Sequence, residues 1–236
     1  MLRHIGDNLC FFAGDKYLSI HIKDPIQKAQ GCVIWMHGLG SNAADMMGLA
    51  DELHSSPPLR HVFLDAPIRP VTLNNRMPMR AWYDILGMEF TDREDREGIF
   101  QSEMIIADVL NTQQAEGFSS DTIFLAGFSQ GAAMALFTGL RITTRLAGVI
   151  ALSGYLPLAS EAQASPFHQM PVFVGSGDYD PMVLPAWTGM SVDHLREQGF
   201  SDVTWNRYPM EHSICPEEIR DLGQWITKAL TRKDSK

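Results

Sequence analysis

Thr122-Ile123-Phe124-Leu125-Ala126-Gly127-Phe128-Ser129-Gln130-Gly131-Ala132 is the stretch on which the reading turns. An apolar run, Thr122–Ala126, leads into Gly-x-Ser-x-Gly and then into the small-residue run Ala132–Leu136, which suits a closely packed helix. Strand, sharp turn and helix in that order are the setting in which a serine is pushed outward as a nucleophile. The glycines fit the sterics, because a side chain at 127 or 131 would collide with the neighbouring strand or helix. The pattern alone also fits a serine in an ordinary βα turn, so the rest of the chain must supply partners.

A serine hydroxyl needs a neighbouring base, itself oriented by a carboxylate, and in this setting the two follow in the order acid, then histidine. Gly177-Asp178-Tyr179-Asp180-Pro181 lies just past an expected strand at Pro171–Gly175, where the carboxyl edge of a parallel sheet would bring an acid near the elbow. Asp180 is the candidate acid and Asp178 competes for the role, although Asp178 could instead cap the turn through its side chain. His212, after an expected strand at Val203–Tyr208, is the histidine in the right post-strand position. His4, His21, His54, His61, His168 and His194 read as surface or packing residues. His37, at the end of Cys32–Met36, reads as support for the Gly38-Leu39-Gly40 loop, whose Leu39 N–H joins the Gln130 N–H as a candidate oxyanion donor.

Further out, short apolar runs alternate with amphipathic ones, the pattern of a mostly parallel sheet with crossover helices. Strands are expected at Cys32–Met36, His61–Leu64, Thr122–Ala126, Ala147–Leu152, Pro171–Gly175 and Val203–Tyr208. Leu9–Ala13 and Tyr17–Ile22 around Gly14-Asp15-Lys16 read as an antiparallel hairpin at one sheet edge. Met46, Leu49, Ala50 and Leu53 mark one helix face. Thr91-x-x-Glu94 has capping-box spacing before Ile99, Ile106, Val109 and Leu110, with the charge run 92–97 as a solvated first turn. A last helix starts near Pro216 and buries Ile219, Leu222, Ile226 and Ala229, ahead of a polar tail, Thr231–Lys236. Residues 67–90 form a long excursion without clear periodicity, its Met77, Met79 and Met88 serving as core filler or as a soft wall for an apolar substrate.

The chain has 236 residues, 45% hydrophobic and 20% charged, which fits one folded domain over 1–236 and excludes disordered, collagen-like and coiled-coil classes. Nineteen Lys and Arg against 28 Asp and Glu give a net charge of −9, unfavourable to nucleic acid and to anionic lipid. Cys10, Cys32 and Cys215 are too few and scattered for a disulfide framework or a zinc site, and no spacing typical of metal ligands occurs. Without an apolar signal or a stretch near 18 apolar residues, the expected protein is cytoplasmic, with no stable membrane anchor. One rival reading takes Gly38-x-Gly40-x-x-Ala43 with Asp65 as a dinucleotide fingerprint, although it leaves Ser129, Asp180 and His212 unexplained. A second keeps the sheet and pocket as a catalytically silent binding protein.

The chain resembles the bacterial carboxylesterases and lysophospholipases related to acyl-protein thioesterases, within the α/β-hydrolase fold. The resemblance rests on His37-Gly38-Leu39-Gly40, Ala66-Pro67 with Pro70-Val71-Thr72-Leu73-Asn74, Met79-Arg80-Ala81-Trp82-Tyr83-Asp84-Ile85, Ala126–Gly131, Asp178-x-Asp180-Pro181 and His212-Ser213. It implies a mostly parallel central sheet flanked by helices. It implies Ser129 as nucleophile, His212 as base then acid, Asp180 rather than Asp178 as its orienter, and the Leu39 and Gln130 N–H groups as the oxyanion hole. It also implies an acyl groove bordered by Leu73, Trp82 and Met182, no cofactor or metal, and a substrate that is a small acyl ester, a lysophospholipid or an acylated thiol. Homodimers occur among such proteins. Ser41 and Ala132 depart from the family pattern, which commonly has Asp and Gly there. The expected reaction is hydrolysis of an ester or thioester through an acyl-enzyme on Ser129, faster as the histidine base loses its proton.

Overall fold

Every residue of the strand Gly31–Met36 is buried, yet its neighbours face opposite ways: Val33 and Trp35 into one apolar cluster, Ile34 and Met36 into another. A strand covered on both faces reads as a continuous apolar run, and this one lies at the centre of a helix–sheet–helix sandwich. The computed structural model describes residues 2–5, 8–13, 16–87, 94–162 and 166–232, with side chains described from Ser19 onward. The side chains of His4 and Cys10, the turn residues Gly14 and Asp15, Met88, Thr91, residues 92–93 of the charge run and 233–236 of the tail lie outside these.

In chain order the strands are β1 (Leu2–Ile5), β2 (Asn8–Ala13), β3 (Lys16–Lys23), β4 (Gly31–Met36), β5 (Leu59–Leu64), β6 (Ile68–Val71), β7 (Met77–Arg80), β8 (Ile123–Phe128), β9 (Gly148–Leu152), β10 (Val172–Gly177) and β11 (Val203–Tyr208). The helices are α1 (Ala43–Glu52), α2 (Arg96–Ala115), α3 (Gln130–Arg141), α4 (Pro185–Glu197) and α5 (Pro216–Thr231). The main sheet runs β1-β2-β3-β5-β4-β8-β9-β10-β11. From β5 to β11 every pairing is parallel, while β1, β2 and β3 form an antiparallel edge joined to β5. The edge hairpin expected from the sequence is thus present, extended by a further strand, β1. Helices α2, α3 and α4 cover one face, and α1 and α5 the other. Among the described residues no helix is long and apolar enough to cross a membrane.

Two expectations need correction. Helix α2 starts at Arg96, capped by Asp95, whose carboxylate accepts the Gly98 N–H at 2.9 Å. Glu94 accepts the Leu158 N–H, and Thr91, its expected capping-box partner, lies outside the described residues. The 67–90 excursion contains a two-stranded hairpin, β6 with β7, closed by Asn75 and Arg76 at φ of 53° and 59°. It escapes the sequence because each strand has four residues, Pro70 faces Pro78, and Ile68 and Met77 are exposed, so no buried alternation marks it.

Candidate active site

The turn from β8 into α3 is tight enough to be set by its glycines. A Cβ on Gly127 would overlap the backbone of Gly131, and one on Gly131 would overlap the Met36 carbonyl of β4. Between them Ser129 is held at φ 56°, ψ −119°, a strained conformation for a residue with a side chain. Its N–H donates to the Leu152 carbonyl (2.9 Å) and its own carbonyl accepts the Ala133 N–H (3.1 Å), so sheet and helix together impose the strain.

Beyond β10 and β11, two loops meet over this serine. The Asp178 and Tyr179 N–H groups donate to the Tyr208 and Met210 carbonyls, which ties the loops together. Asp180 is buried, and its Oδ1 accepts the N–H groups of Met182 and Val183 (2.8 and 2.9 Å). Its Oδ2 lies 2.7 Å from His212 Nδ1, while His212 Nε2 lies 2.9 Å from Ser129 Oγ. The alternative acid, Asp178, is turned away into an ion pair with Arg207. Three side chains 83 residues apart at the extremes are therefore linked in one relay, with the Phe128 ring 4.8 Å from the imidazole. Among the other histidines, His61 is stacked on Trp35 and accepts its indole N–H, burial bringing its pKa down to about 4.

The loop after β4 supplies the facing wall. The N–H groups of Gly40 and Ser41 donate to Arg80 and Gly38 carbonyls, but among the described residues the Leu39 N–H is taken up by nothing. The Gln130 N–H opens α3, where helical geometry leaves it without an intrahelical acceptor. His37 is wholly buried, with Nδ1 2.6 Å from the Gly38 carbonyl and Nε2 accepting the Ala66 N–H at 2.9 Å. That network places the proton on Nδ1, and burial holds the pKa below the usual histidine value. A neutral, doubly bonded His37 orients the loop. Asp65 is spoken for as well: it accepts the Ala43 N–H at 2.8 Å and pairs with Arg80 at 3.2 Å, so the acid of the dinucleotide reading caps a helix.

A cavity of about 270 Å³ opens beside Ser129, lined by Leu39, Leu73, Tyr83, Ile85, Phe128, Tyr155, Met182, Val183 and the serine and histidine themselves. Leu73 and Met182, expected at the acyl groove, line this cavity. Trp82 does not. It is fully buried, its indole N–H donates to the His37 carbonyl (2.8 Å), its N–H donates to Gln130 Oε1 (2.9 Å), and its carbonyl accepts from Ser102. It braces the loop from behind, and the adjacent Tyr83 faces the cavity instead. Tyr155 and Val183 also escaped the sequence reading; Tyr155 lies in the loop just past the carboxyl end of β9, a position at which ligand-contacting residues collect. Among the described residues no three His, Cys, Asp or Glu side chains are gathered as metal ligands would be.

Residues 19–230 match the family described as Phospholipase/Carboxylesterase. The chain is 36% identical over 222 residues to acyl-protein thioesterase 1 of Mycosarcoma maydis, covering 86% of this chain and 92% of that protein. It is 35% identical to acyl-protein thioesterase 1 homolog 1 of Dictyostelium discoideum over 217 residues, 90% and 96% of the two chains. The crystal structure of Zea mays acyl-protein thioesterase 2 superposes with a TM-score of 0.81 at 28% identity, covering 89% of this chain and 98% of that one. These relatives are eukaryotic, so they support likeness to acyl-protein thioesterases and not the bacterial branch named from the sequence. With a family match across most of its length and a serine, a histidine and an aspartate in line at the end of a parallel sheet, the chain belongs to the Phospholipase/Carboxylesterase family of α/β-hydrolases and is a hydrolase of ester or thioester bonds.

Proposed function

We propose that Ser129 is the nucleophile of an acyl-transfer reaction to water, carried by one domain acting in the cytoplasm on acylated thiols, lysophospholipids or small acyl esters. The observation that carries the reading is the Ser129–His212–Asp180 chain of contacts, 2.9 and 2.7 Å long, with the serine on a strained turn. His212 Nε2 takes the proton of Ser129 Oγ as the oxygen attacks the acyl carbonyl. Asp180 accepts the Nδ1–H, fixing the tautomer and offsetting the imidazolium charge. The Leu39 and Gln130 N–H groups stabilise the tetrahedral oxyanion. His212 then returns the proton to the departing thiolate or alkoxide, leaving an acyl-Ser129 ester. Water, deprotonated by the same histidine, attacks that ester and releases the acid. No step calls for a cofactor or metal.

The relatives named as acyl-protein thioesterases favour S-acyl thioesters among the candidate substrates. The test compares an S-acyl peptide thioester with its matched oxyester, in the wild type and in Ser129→Ala. Turnover of the thioester with the larger kcat/KM, lost in the variant, is expected. Oxyester turnover alone would move the substrate to esters, and turnover unchanged in the variant would overturn the mechanism.

A further inference from the structure

We infer that Tyr83 and Tyr155 together close the buried end of the cavity beside Ser129 and confine the acyl group to roughly six to eight carbons, an inference that rests on Ser129 being the nucleophile. Of the residues lining the cavity, Met182 (60%) and Leu73 (43%) are exposed and mark its mouth, while Tyr155 (7%) and Tyr83 (2%) belong to its buried wall with Ile85 and Val183. There the two phenol oxygens lie 2.9 Å apart, a hydrogen bond that joins the segment after β7 to the loop after β9.

Both walls are held from behind. The Tyr83 carbonyl accepts from Gln130 Nε2 at 2.8 Å, so the residue that follows the nucleophile also fixes this tyrosine. On the other side Gly154 O accepts from Thr188 Oγ1 at 2.9 Å, and the Leu156 N–H donates to Ser191 Oγ at 2.8 Å, which pins the Tyr155 segment to α4. The pair is a fixed wall. An alkyl tail driven between the rings would break a buried hydrogen bond, which costs more than the methylene gains.

The capacity follows from the volume. A cavity of about 150 Å³ accepts one six-carbon benzene ring, so on the same scale about 270 Å³ takes roughly ten carbon-sized groups. The reacting carbonyl and the leaving atom occupy part of that, which leaves about six to eight carbons of chain. Each methylene up to that limit should add about fourfold to kcat/KM, the equivalent of burying one CH₂. Longer chains must run back over Met182 and Leu73 into water.

The experiment measures kcat/KM for p-nitrophenyl esters from C2 to C16, below their aggregation concentrations, in the wild type, Tyr155→Ala and Tyr155→Leu. A wild-type optimum at C6–C8 with at least a tenfold fall by C12 is expected, and the ratio of C12 to C4 should rise at least tenfold in whichever variant retains the wild-type circular dichroism spectrum. A wild-type rate that climbs through C16, or an unchanged ratio in a folded variant, would overturn the inference. Failure of the nucleophile assignment would look different: turnover at every length would survive Ser129→Ala, whereas failure of the length limit leaves Ser129-dependent turnover with another profile.

Discussion

Replacing Glu218 by Gln should make the protein more stable as pH rises. Glu218 lies in the first turn of α5, fully buried, with its carboxyl against Gly175 of β10 and no hydrogen-bond partner of ordinary geometry for either oxygen. Burial, and secondly the Asp221 carboxylate, push its pKa up from 4.5 to about 8, with the Cys215 N–H pulling weakly the other way. The folded protein therefore keeps a proton that the unfolded chain releases. The stability this proton contributes is full below the unfolded glutamate value and is lost as pH rises toward 8. At 1.36 kcal/mol per pH unit, the change between pH 5 and pH 8 is about 4 kcal/mol. Gln keeps the shape without the titration, so the stability gap between Glu218→Gln and wild type should widen by that amount. For a chain of this size, about 2–4 °C per kcal/mol makes the widening roughly 10 °C in Tm. Thermal melts of both proteins at pH 5, 6.5 and 8 measure it. Parallel curves, with a constant gap, would refute the claim that Glu218 is folded around its proton.

Asp180→Asn should lower kcat by about 10³–10⁴-fold with little change in Tm, because the amide oxygen can still accept from Met182 and Val183 while its NH₂ forces His212 into the wrong tautomer. A variant with a tenth of wild-type kcat would contradict that role. Gly131→Ala places a methyl into the Met36 carbonyl and should cost about 3 kcal/mol or more, read as a lowered Tm; a melt within 2 °C of wild type would count against the close strand–helix contact. Trp82→Phe removes the N–H donated to His37 O and should destabilise by about 1–3 kcal/mol while lowering kcat more than it raises KM. A pure KM effect would return Trp82 to the substrate groove.

What the sequence made legible was whatever depends on a strand buried on both faces or on a spacing along the chain. The strands β4, β8 and β9 announce themselves as apolar runs, and Ser129, Asp180 and His212 follow the carboxyl ends of β8, β10 and β11, which are brought to one edge of the parallel sheet with β9 between the first two. The choice between Asp180 and Asp178 needed more than spacing: both sit in one turn, and Arg207, three-dimensionally adjacent, draws Asp178 aside. Trp82 and Tyr83 are harder still, since neighbours in one bent segment face opposite sides, Trp82 toward His37 and Tyr83 toward the cavity, and the parity depends on that bend. The β6–β7 hairpin is short and exposed, so hydrophobic periodicity had nothing to register. The helix start was harder to place, because neighbouring carboxylates compete for the same few N–H groups: Asp95 caps α2 while tertiary contact with Leu158 occupies Glu94.

The most direct test of the account is to expose the folded protein to a fluorophosphonate and map the modified peptide by mass spectrometry, with Ser129→Ala as control. A single phosphonyl adduct on Ser129, absent from the variant, is the predicted result. An adduct on a different serine, or none on folded protein that turns over ester, would contradict the assignment of Ser129 as the activated nucleophile.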